Sequence, residues 1–377
     1  MIGAGMVGAA CAYYCAAAGL RVGVVERGAV ASGTTSAGEG NILVSDKESG
    51  AELDLTLLSM RLWAELGERL GGFELEAKGG VVVARTPEAL AGLSALAAEQ
   101  RVRGVSVTEV DAAGLAELEP WLTADIAGGA YYPQDMQVQP MLAAAQLLRA
   151  ARSFGATVHT GTAVLEFLLA RDGALTGVRT SAGELSARWV INAAGTWGGE
   201  IAALAGVPVP VLPRRGFILV TEPLPPRMIR HKVYSADYVA NVASSDAGLE
   251  TSVVVEGTRA GTVLIGASRE RVGFDRTMSL PVLRKLAAQA VGLFPFLAEV
   301  NLLRSYLGFR PYCPDHLPVI GPDPRVPGLV HACGHEGAGI GLAAATGHLI
   351  AQTLTGATPD LDLAPFRPDR FAREVVT

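Results

Sequence analysis

An α/β fold, α+β overall, is predicted by three observations. Near the start, Gly3, Gly5 and Gly8 spell G-x-G-x-x-G and lead into an alanine-rich run over residues 9–18. Residues 21–25 then read as a buried strand that closes on the acidic Glu26. A second glycine-rich segment, residues 334–341, opens another helix near the far end. Strand, glycine turn, helix, strand and acid in this order are the signature of a Rossmann-type dinucleotide-binding unit.

Each part of the first motif has a physical task. Gly3 permits the tight turn, Gly5 lets backbone approach a pyrophosphate, and Gly8 allows close contact between helix and strand. The helix N-terminus adds a positive dipole end for the anion, and Gly19 is placed to cap the other end. Glu26 is suited to accept hydrogen bonds from a ribose. The alternative is a glycine-rich turn in some other α/β fold. Only Met1 and Ile2 precede Gly3, where a full central strand is expected. A truncated or misassigned start is therefore predicted. The lost burial and ladder bonds would cost several kcal/mol and weaken nucleotide binding.

The 377 residues are half hydrophobic and 18% charged, enough for a large core and two or three domains. Lysine and arginine number 31 against 37 acidic residues, without a basic block, which argues against a nucleic-acid partner. The uncharged first twenty residues lack the basic flank of a signal peptide and the large aliphatics of a membrane span. A soluble, cytoplasmic protein without a targeting segment is expected. Cys11, Cys15, Cys313 and Cys333 lack the spacing of a disulfide framework or a metal site, so buried, reduced thiols and no metal are expected.

The loop 31–41 is crowded with small and hydroxyl residues and could donate several hydrogen bonds to a phosphate or flavin ring. Residues 51–70 carry helical apolar spacing, 81–84 read as a strand, and Thr86-Pro87-Glu88 starts a helix. A helix over 141–154 and strands over 156–159, 175–180 and 189–192 follow. The last strand runs into Ala193-Ala194-Gly195-Thr196-Trp197, small residues that permit close approach of a ligand. Strands 217–220 and 263–266 belong to a second, more antiparallel domain, with the proline-rich stretches 208–213 and 223–226 as loops or edges. Gly308-Phe309-Arg310-Pro311 leads into a proline-rich connection through Pro327, then a strand over 328–333. The helix opened at 334–341 runs to about Leu354, and its N-terminus is suited to stabilise negative charge on the far end of a large cofactor.

These landmarks together resemble the D-amino-acid-oxidase-type FAD oxidoreductases, the family of glycine and sarcosine oxidases. The resemblance spans essentially the whole chain. It rests on Gly3, Gly5 and Gly8 with Glu26, on Thr34-Thr35-Ser36, on Asn192-Ala193-Ala194-Gly195, and on Gly308–Pro311 with Gly334 and His335. Residues 37–41 and 334–341 look most similar to the D-hydroxyproline dehydrogenase β-subunit group. The resemblance implies a noncovalent FAD, because the sarcosine-oxidase cysteine that anchors flavin falls near Gly308. It implies an FAD-binding domain from 1–76, 136–204 and 306–377, and a substrate domain from 77–135 and 205–305. Met6, Val7, Arg27, Gly40, Asn41, Val164 and Trp197 would join the motif residues in lining FAD. Gly334, His335, Glu336, Gly337, Ala338, Gly339, Ile340 and Gly341 would line its ring.

Arg310 would hold the substrate carboxylate, a task its guanidinium fork suits. His335 and Tyr312 are further pocket candidates, and Tyr238 a weaker one. A departure from glycine oxidases is Gly337, which stands where they carry a further arginine. The activity implied is oxidation of an amino or cyclic imino acid, cis-4-hydroxy-D-proline first, with the Cα hydride passing to the flavin and an imine left behind. Alternatives are an FAD-carrying electron-transfer subunit of a hetero-oligomer, a glycine- or sarcosine-type oxidase, and a nicotinamide-dependent dehydrogenase. A hetero-oligomer with electron-transfer subunits and a homo-oligomer both remain open.

Overall fold

The computed structural model describes residues 1–242 and 244–371, with side chains given except at 240–242. Residue 243 and the last residues of the expected segment 306–377 lie outside the described residues. Two sheets organise the rest. In the first, Thr157–His159 pairs in parallel with Gly23–Val25. Val190–Asn192 pairs in parallel with Leu329–Cys333, which pairs antiparallel with Val319–Pro322. Ile2 bridges the two parallel halves, facing Val25 on one side and Asn192 on the other. The expected central strand is thus represented by Met1–Gly3, whose backbone bonds reach Val25, Ile191 and Ala193.

Helix Met6–Ala17 begins directly after the glycine turn, and Gly19, in the left-handed region at φ 85°, ends it by bonding back to the Ala16 carbonyl. Its small residues let Ala343–Thr355 pack against it so closely that a Cβ at Gly347 would lie 2.6 Å from the Ala10 carbonyl carbon. Ala51–Arg69 and Pro140–Ser153 complete this layer, close to their predicted bounds. Local chemistry explains why: Gln139 caps the Leu142 N–H at 2.8 Å and Pro140 follows as the first helical residue.

The second sheet has eight strands. In order they are Leu302–Tyr312, Leu212–Thr221, Val263–Arg269, Glu250–Gly257, Lys232–Ser235, Gly80–Ala84, Gly128–Tyr132 and Thr108–Val110. All neighbours are antiparallel except Lys232–Ser235 with Gly80–Ala84. Helix Leu280–Leu293 covers one face around a core that includes Val81, Phe217, Val255, Leu286 and Phe294, and Pro87–Val102 packs on the other face, with Leu93 beside Val82 and Ala130. A third, three-stranded sheet spans Val164–Leu169, Leu175–Thr180 and Gly183–Ser186.

Three expectations are corrected here. Residues 212 and 213, expected in a loop or edge, lie in a ten-residue strand, with Pro213 opposite Pro311. Two prolines can face each other only where the strands exchange no N–H···O bond. The region read as a bare connection before 328 contains the strands Leu302–Tyr312 and Val319–Pro322, the first of which straddles the expected domain boundary at 305/306. The helix expected to open within 334–341 starts at Ala343, after a 3-10 turn at Glu336–Ala338.

Candidate active site

A cavity of about 620 Å³ runs from the first glycine turn to the large sheet. At one end it is walled by Gly3, Gly5, Met6, Val7, Glu26 and Arg27. Gly3 sits at φ 101°, and a Cβ there would lie 2.5 Å from the Ala193 carbonyl oxygen, so only glycine fits the turn. Gly8 does not line the cavity. A Cβ there would lie 2.1 Å from the Gly3 carbonyl oxygen, so its task is contact between helix and turn. Glu26 is held by the Ala4 N–H at 2.9 Å and the Gly28 N–H at 2.7 Å. Arg27 lies 4.0 Å over the Trp197 ring, and Val164 closes this end beside Thr162.

The predicted landmarks meet at one carbonyl. Thr34 Oγ1 and Thr196 Oγ1 both donate to the Phe309 carbonyl oxygen at 2.7 Å. The hydroxyl loop, the turn after the strand Val190–Asn192, and the strand carrying Arg310 are thereby pinned together. Thr35 Oγ1 accepts from the Met6 N–H at 2.9 Å and so ties the same loop to the first helix. Gly40, Asn41, Ala194 and Gly195 also line the cavity. Ser36 does not: it is exposed and its hydroxyl turns back to the Gly33 carbonyl.

At the far end the wall holds His335, Glu336, Gly337, Gly339 and Ile340 with Arg310. Gly334 and Gly341 lie outside it, and Ala338 lines only a second chamber described below. The Gly341 carbonyl is occupied by Trp63 Nε1 at 3.0 Å and by Ser59 Oγ at 2.5 Å, so Ala51–Arg69 holds this turn in place. Glu336, at φ 44°, accepts from Arg214 at 2.6 Å and lies 3.0 Å from His316 Nδ1. Burial pushes its carboxyl up, but His316 and Arg214 outweigh that and hold it below the usual value. His335 is buried, and burial alone pulls its imidazole down to about 3. The Thr346 hydroxyl spends its proton on the Leu342 carbonyl, so His335 Nε2 is the protonated nitrogen donating to Thr346 at 2.9 Å. The ring is thus neutral near pH 7 and unsuited to act as a cation there.

Tyr312 is corrected. It is buried outside both cavities, packed under the Arg214 and Arg271 guanidinium groups at 5.4 and 4.9 Å. Alternation puts it on the same strand face as Arg310, but it is the last residue of the strand and packs beyond the cavity wall. Tyr238, the weaker candidate, lines both cavities.

Arg310 donates Nη1 to the Ser268 carbonyl at 2.8 Å and has no carboxylate partner among the described residues. Its guanidinium crosses Gly216, where a Cβ would lie 2.2 Å from Nη1. Sequence reasoning missed Gly216, Ile218 and Glu39 on this wall. Glu39 was the one acid inside a loop of small residues, which was its signal. It is buried, with Oε2 3.0 Å from Asn41 Nδ2 and 3.5 Å from Lys232 Nζ. Burial pulls the Lys232 ammonium down, but Glu256 and Glu39 outweigh it and raise it above the usual lysine value. Glu39 Oε1 and Asn41 Oδ1 have no hydrogen-bond partner among the described residues.

A Rossmann turn opening on a long cavity, with a helix start at one end and an unpaired guanidinium at the other, is the arrangement of a dinucleotide-dependent oxidoreductase. The chain belongs to the FAD dependent oxidoreductase family, whose sequence model matches residues 1–353. It is 35% identical over 333 residues to hydrogen cyanide synthase subunit HcnC of Pseudomonas aeruginosa, covering 86% of this chain and 75% of that protein. It is 31% identical to glycine oxidase of Geobacillus kaustophilus, over all of this chain and 97% of the relative. The crystal structure of glycine oxidase from that organism superposes with a TM-score of 0.88 over 98% of this chain and 97% of the other. That of L-proline dehydrogenase from P. horikoshii, at 24% identity, shares the fold with a TM-score of 0.90, covering 99% of this chain and 97% of the other.

The protein is therefore an FAD-dependent amino-acid oxidoreductase. Its residues fit that cofactor. Gly3, Gly5, Met6 and Val7 bring the glycine turn and helix start to the cavity wall, and Glu39 and Asn41, each with a buried acceptor unpartnered among the described residues, line it as well. No helix among the described residues is long and apolar enough to cross a membrane.

Proposed function

We propose that this enzyme oxidises the Cα–N bond of an amino or cyclic imino acid, with cis-4-hydroxy-D-proline the first substrate to test. The observation that carries the reading is Arg310, a cation on the cavity wall with no carboxylate of its own among the described residues. A substrate carboxylate supplies the missing charge through a bidentate pair. FAD, when bound, supplies the acceptor for a hydride from Cα. The residues of the chain bind and orient. Gly3, Gly5, Met6 and Val7 would hold the pyrophosphate end, Glu26 the ribose, and residues 335–340 the ring. His335 is neutral and packed, so it shapes the wall rather than moving a proton near pH 7. The amine enters neutral, loses hydride, and leaves as an iminium ion, the protonated imine, that water can hydrolyse.

Attachment of the cofactor is noncovalent in this reading. None of the four cysteines lines the cavity, and burial raises the Cys15 and Cys333 thiols to about 11 and 12. The choice of hydroxyproline rests on the motif resemblance at 37–41 and 334–341.

The test is an anaerobic absorbance spectrum of the purified protein, before and after D-, L- and N-substituted amino acids. Bleaching of the flavin band by cis-4-hydroxy-D-proline supports the reading. A band that no amino acid bleaches turns it toward a second one, an FAD-carrying subunit that needs partner chains. That alternative is favoured by one observation: the relative HcnC is itself named a subunit.

A further inference from the structure

Beside the main cavity lies a second chamber of about 300 Å³ that shares Tyr238, Arg310, Glu336 and Gly337 with it. Its cations differ in how they are paired. Lys47 is neutralised by Asp46 and Glu52, both at 3.1 Å, and His316 faces Glu336. Arg269 and Arg310 face no carboxylate within ion-pair distance among the described residues. Arg269 is only 4% exposed, and its Nη1 has no hydrogen-bond partner among the described residues. Its guanidinium rests on the Tyr238 ring, 4.8 Å from the centroid, at the end of strand Val263–Arg269. The Arg310 guanidinium is anchored separately, on the Ser268 carbonyl. Burial and the neighbouring Arg269 charge together pull Arg310 below its ordinary value, so the two cations repel.

The acids that line the chamber are engaged elsewhere, Asp46 and Glu52 on Lys47, Asp315 on Arg370 and Glu336 on Arg214 and His316, and Glu48 is exposed, so the two buried guanidinium groups each lack a carboxylate partner. A single carboxylate leaves one positive charge uncompensated, a state that costs several kcal/mol in a buried site. A second carboxylate on the same ligand removes that cost. Gly337 leaves room for it, since even a Cβ there would stay 3.7 Å from Arg310 Cδ and Nε.

We propose that Arg269 is a second anion anchor beside Arg310, and that the enzyme selects amino or imino acids carrying a second carboxylate. The proposal rests on the reading of this cavity as an amino-acid site and names the substrate class within it. Arg310 holds the carboxylate on the reacting carbon, and Arg269 holds the other.

The experiment is calorimetric titration of the holoenzyme with non-oxidisable pairs of ligands. Oxydiacetate is compared with methoxyacetate, and glutarate with butyrate. The dicarboxylate of at least one pair is expected to bind about 50-fold or more tightly than its monocarboxylate, the scale of a desolvated charge pair. Arg269→Leu brings that ratio to within about threefold of one, and Arg269→Lys retains part of it. Ratios near one in the unmodified enzyme overturn the proposal. So does an Arg269→Leu protein that weakens both members of a pair equally, which would assign both arginines to one carboxylate. The comparison in the unmodified enzyme decides even where Arg269→Leu fails to fold. Anaerobic bleaching by iminodiacetate against sarcosine is run alongside. If neither bleaches the flavin, the oxidation reading fails while the titration still reports on Arg269.

Discussion

The two glycine-rich segments share a composition and differ in what holds them. At 3–8 the glycines meet backbone. Cβ atoms at Gly3 and Gly8 would lie 2.5 Å and 2.1 Å from carbonyl oxygens, and the helix starts at once. At 334–341 the nearest contacts of a Cβ at Gly334, Gly337, Gly339 or Gly341 would be 3.4, 3.7, 3.3 and 3.4 Å, ordinary or nearly so. Side chains from elsewhere fix that segment: Ser59 and Trp63 on the Gly341 carbonyl, Arg214 and His316 on Glu336, Thr346 on His335. In the first segment backbone sets the glycines, the segment's own at Gly8 and that of Ala193 at Gly3; in the second, side chains from elsewhere hold the turn. Glycine at the first is a steric necessity, and at the second, Gly334 at φ 76° excepted, an absence of obstruction.

The largest effect expected from this contrast is at Gly8. Gly8→Ala forces the helix off the turn, because the conflicting atom is a backbone oxygen that cannot rotate away. A loss of about 4 kcal/mol or more is expected, with failure to retain flavin. Urea unfolding and the ratio of flavin to protein absorbance measure both. Gly339→Ala, tested in parallel, costs about 1 kcal/mol or less. Equal losses at the two sites would break the comparison.

Next in size is Glu336. Glu336→Ala leaves the buried Arg214 with Glu250 alone and His316 without its acid, for a loss of about 3 kcal/mol. The pH dependence follows the same bond. A carboxyl held below its ordinary value of 4.5 contributes stability that is full above that pH and is lost as pH falls through the lower, folded value. Chemical unfolding from pH 7 to pH 3 should show the unmodified protein losing part of its advantage over Glu336→Gln below about pH 4.5. Parallel curves would remove the ion pair from the account. At the 3–8 turn the carboxylate contact is Glu26 on the Ala4 N–H, while Gly3 and Gly8 meet backbone carbonyls. Trp63→Phe comes next: it keeps an aromatic ring but deletes the donor to Gly341 and leaves a gap in the core, at a cost of about 2 kcal/mol.

The same distinction decides what the sequence disclosed. The turn at 3–8, the helix start at Thr86-Pro87-Glu88 and the apolar spacing of 51–70 are local signals, and the elements they predict appear nearly at their bounds. Strand Leu302–Tyr312 was missed because Gly308 and Pro311 read as a break. Pairing with Leu212–Thr221, which brings Pro213 opposite Pro311, makes both tolerable. In the site, Arg310 was legible as a fork for a carboxylate. Arg269, Glu39 and Gly216 were not, because each matters through a contact made across the large sheet or the hydroxyl loop. Tyr312 is in phase with Arg310 on its strand, but the strand ends there and Arg214 and Arg271 pack over its ring, a placement no spacing announces.

The smallest effect on stability, and the sharpest test of the contrast, is at Gly337. Its φ lies outside the left-handed region, and the nearest atoms to an added Cβ are Arg310 Cδ and Nε at 3.7 Å, an ordinary contact. Gly337→Ala should therefore change stability by about 0.5 kcal/mol or less. The methyl group nevertheless enters the space shared by both cavities, beside the guanidinium that carries the substrate reading. The expected result is an unchanged unfolding midpoint with KM raised about threefold to tenfold and kcat altered by less than twofold, the pattern of lost binding common to ground and transition states. A Gly337→Ala protein that unfolds as Gly8→Ala does would mean that glycine is a steric requirement in both segments. A stable protein with unchanged KM would move the substrate away from Arg310.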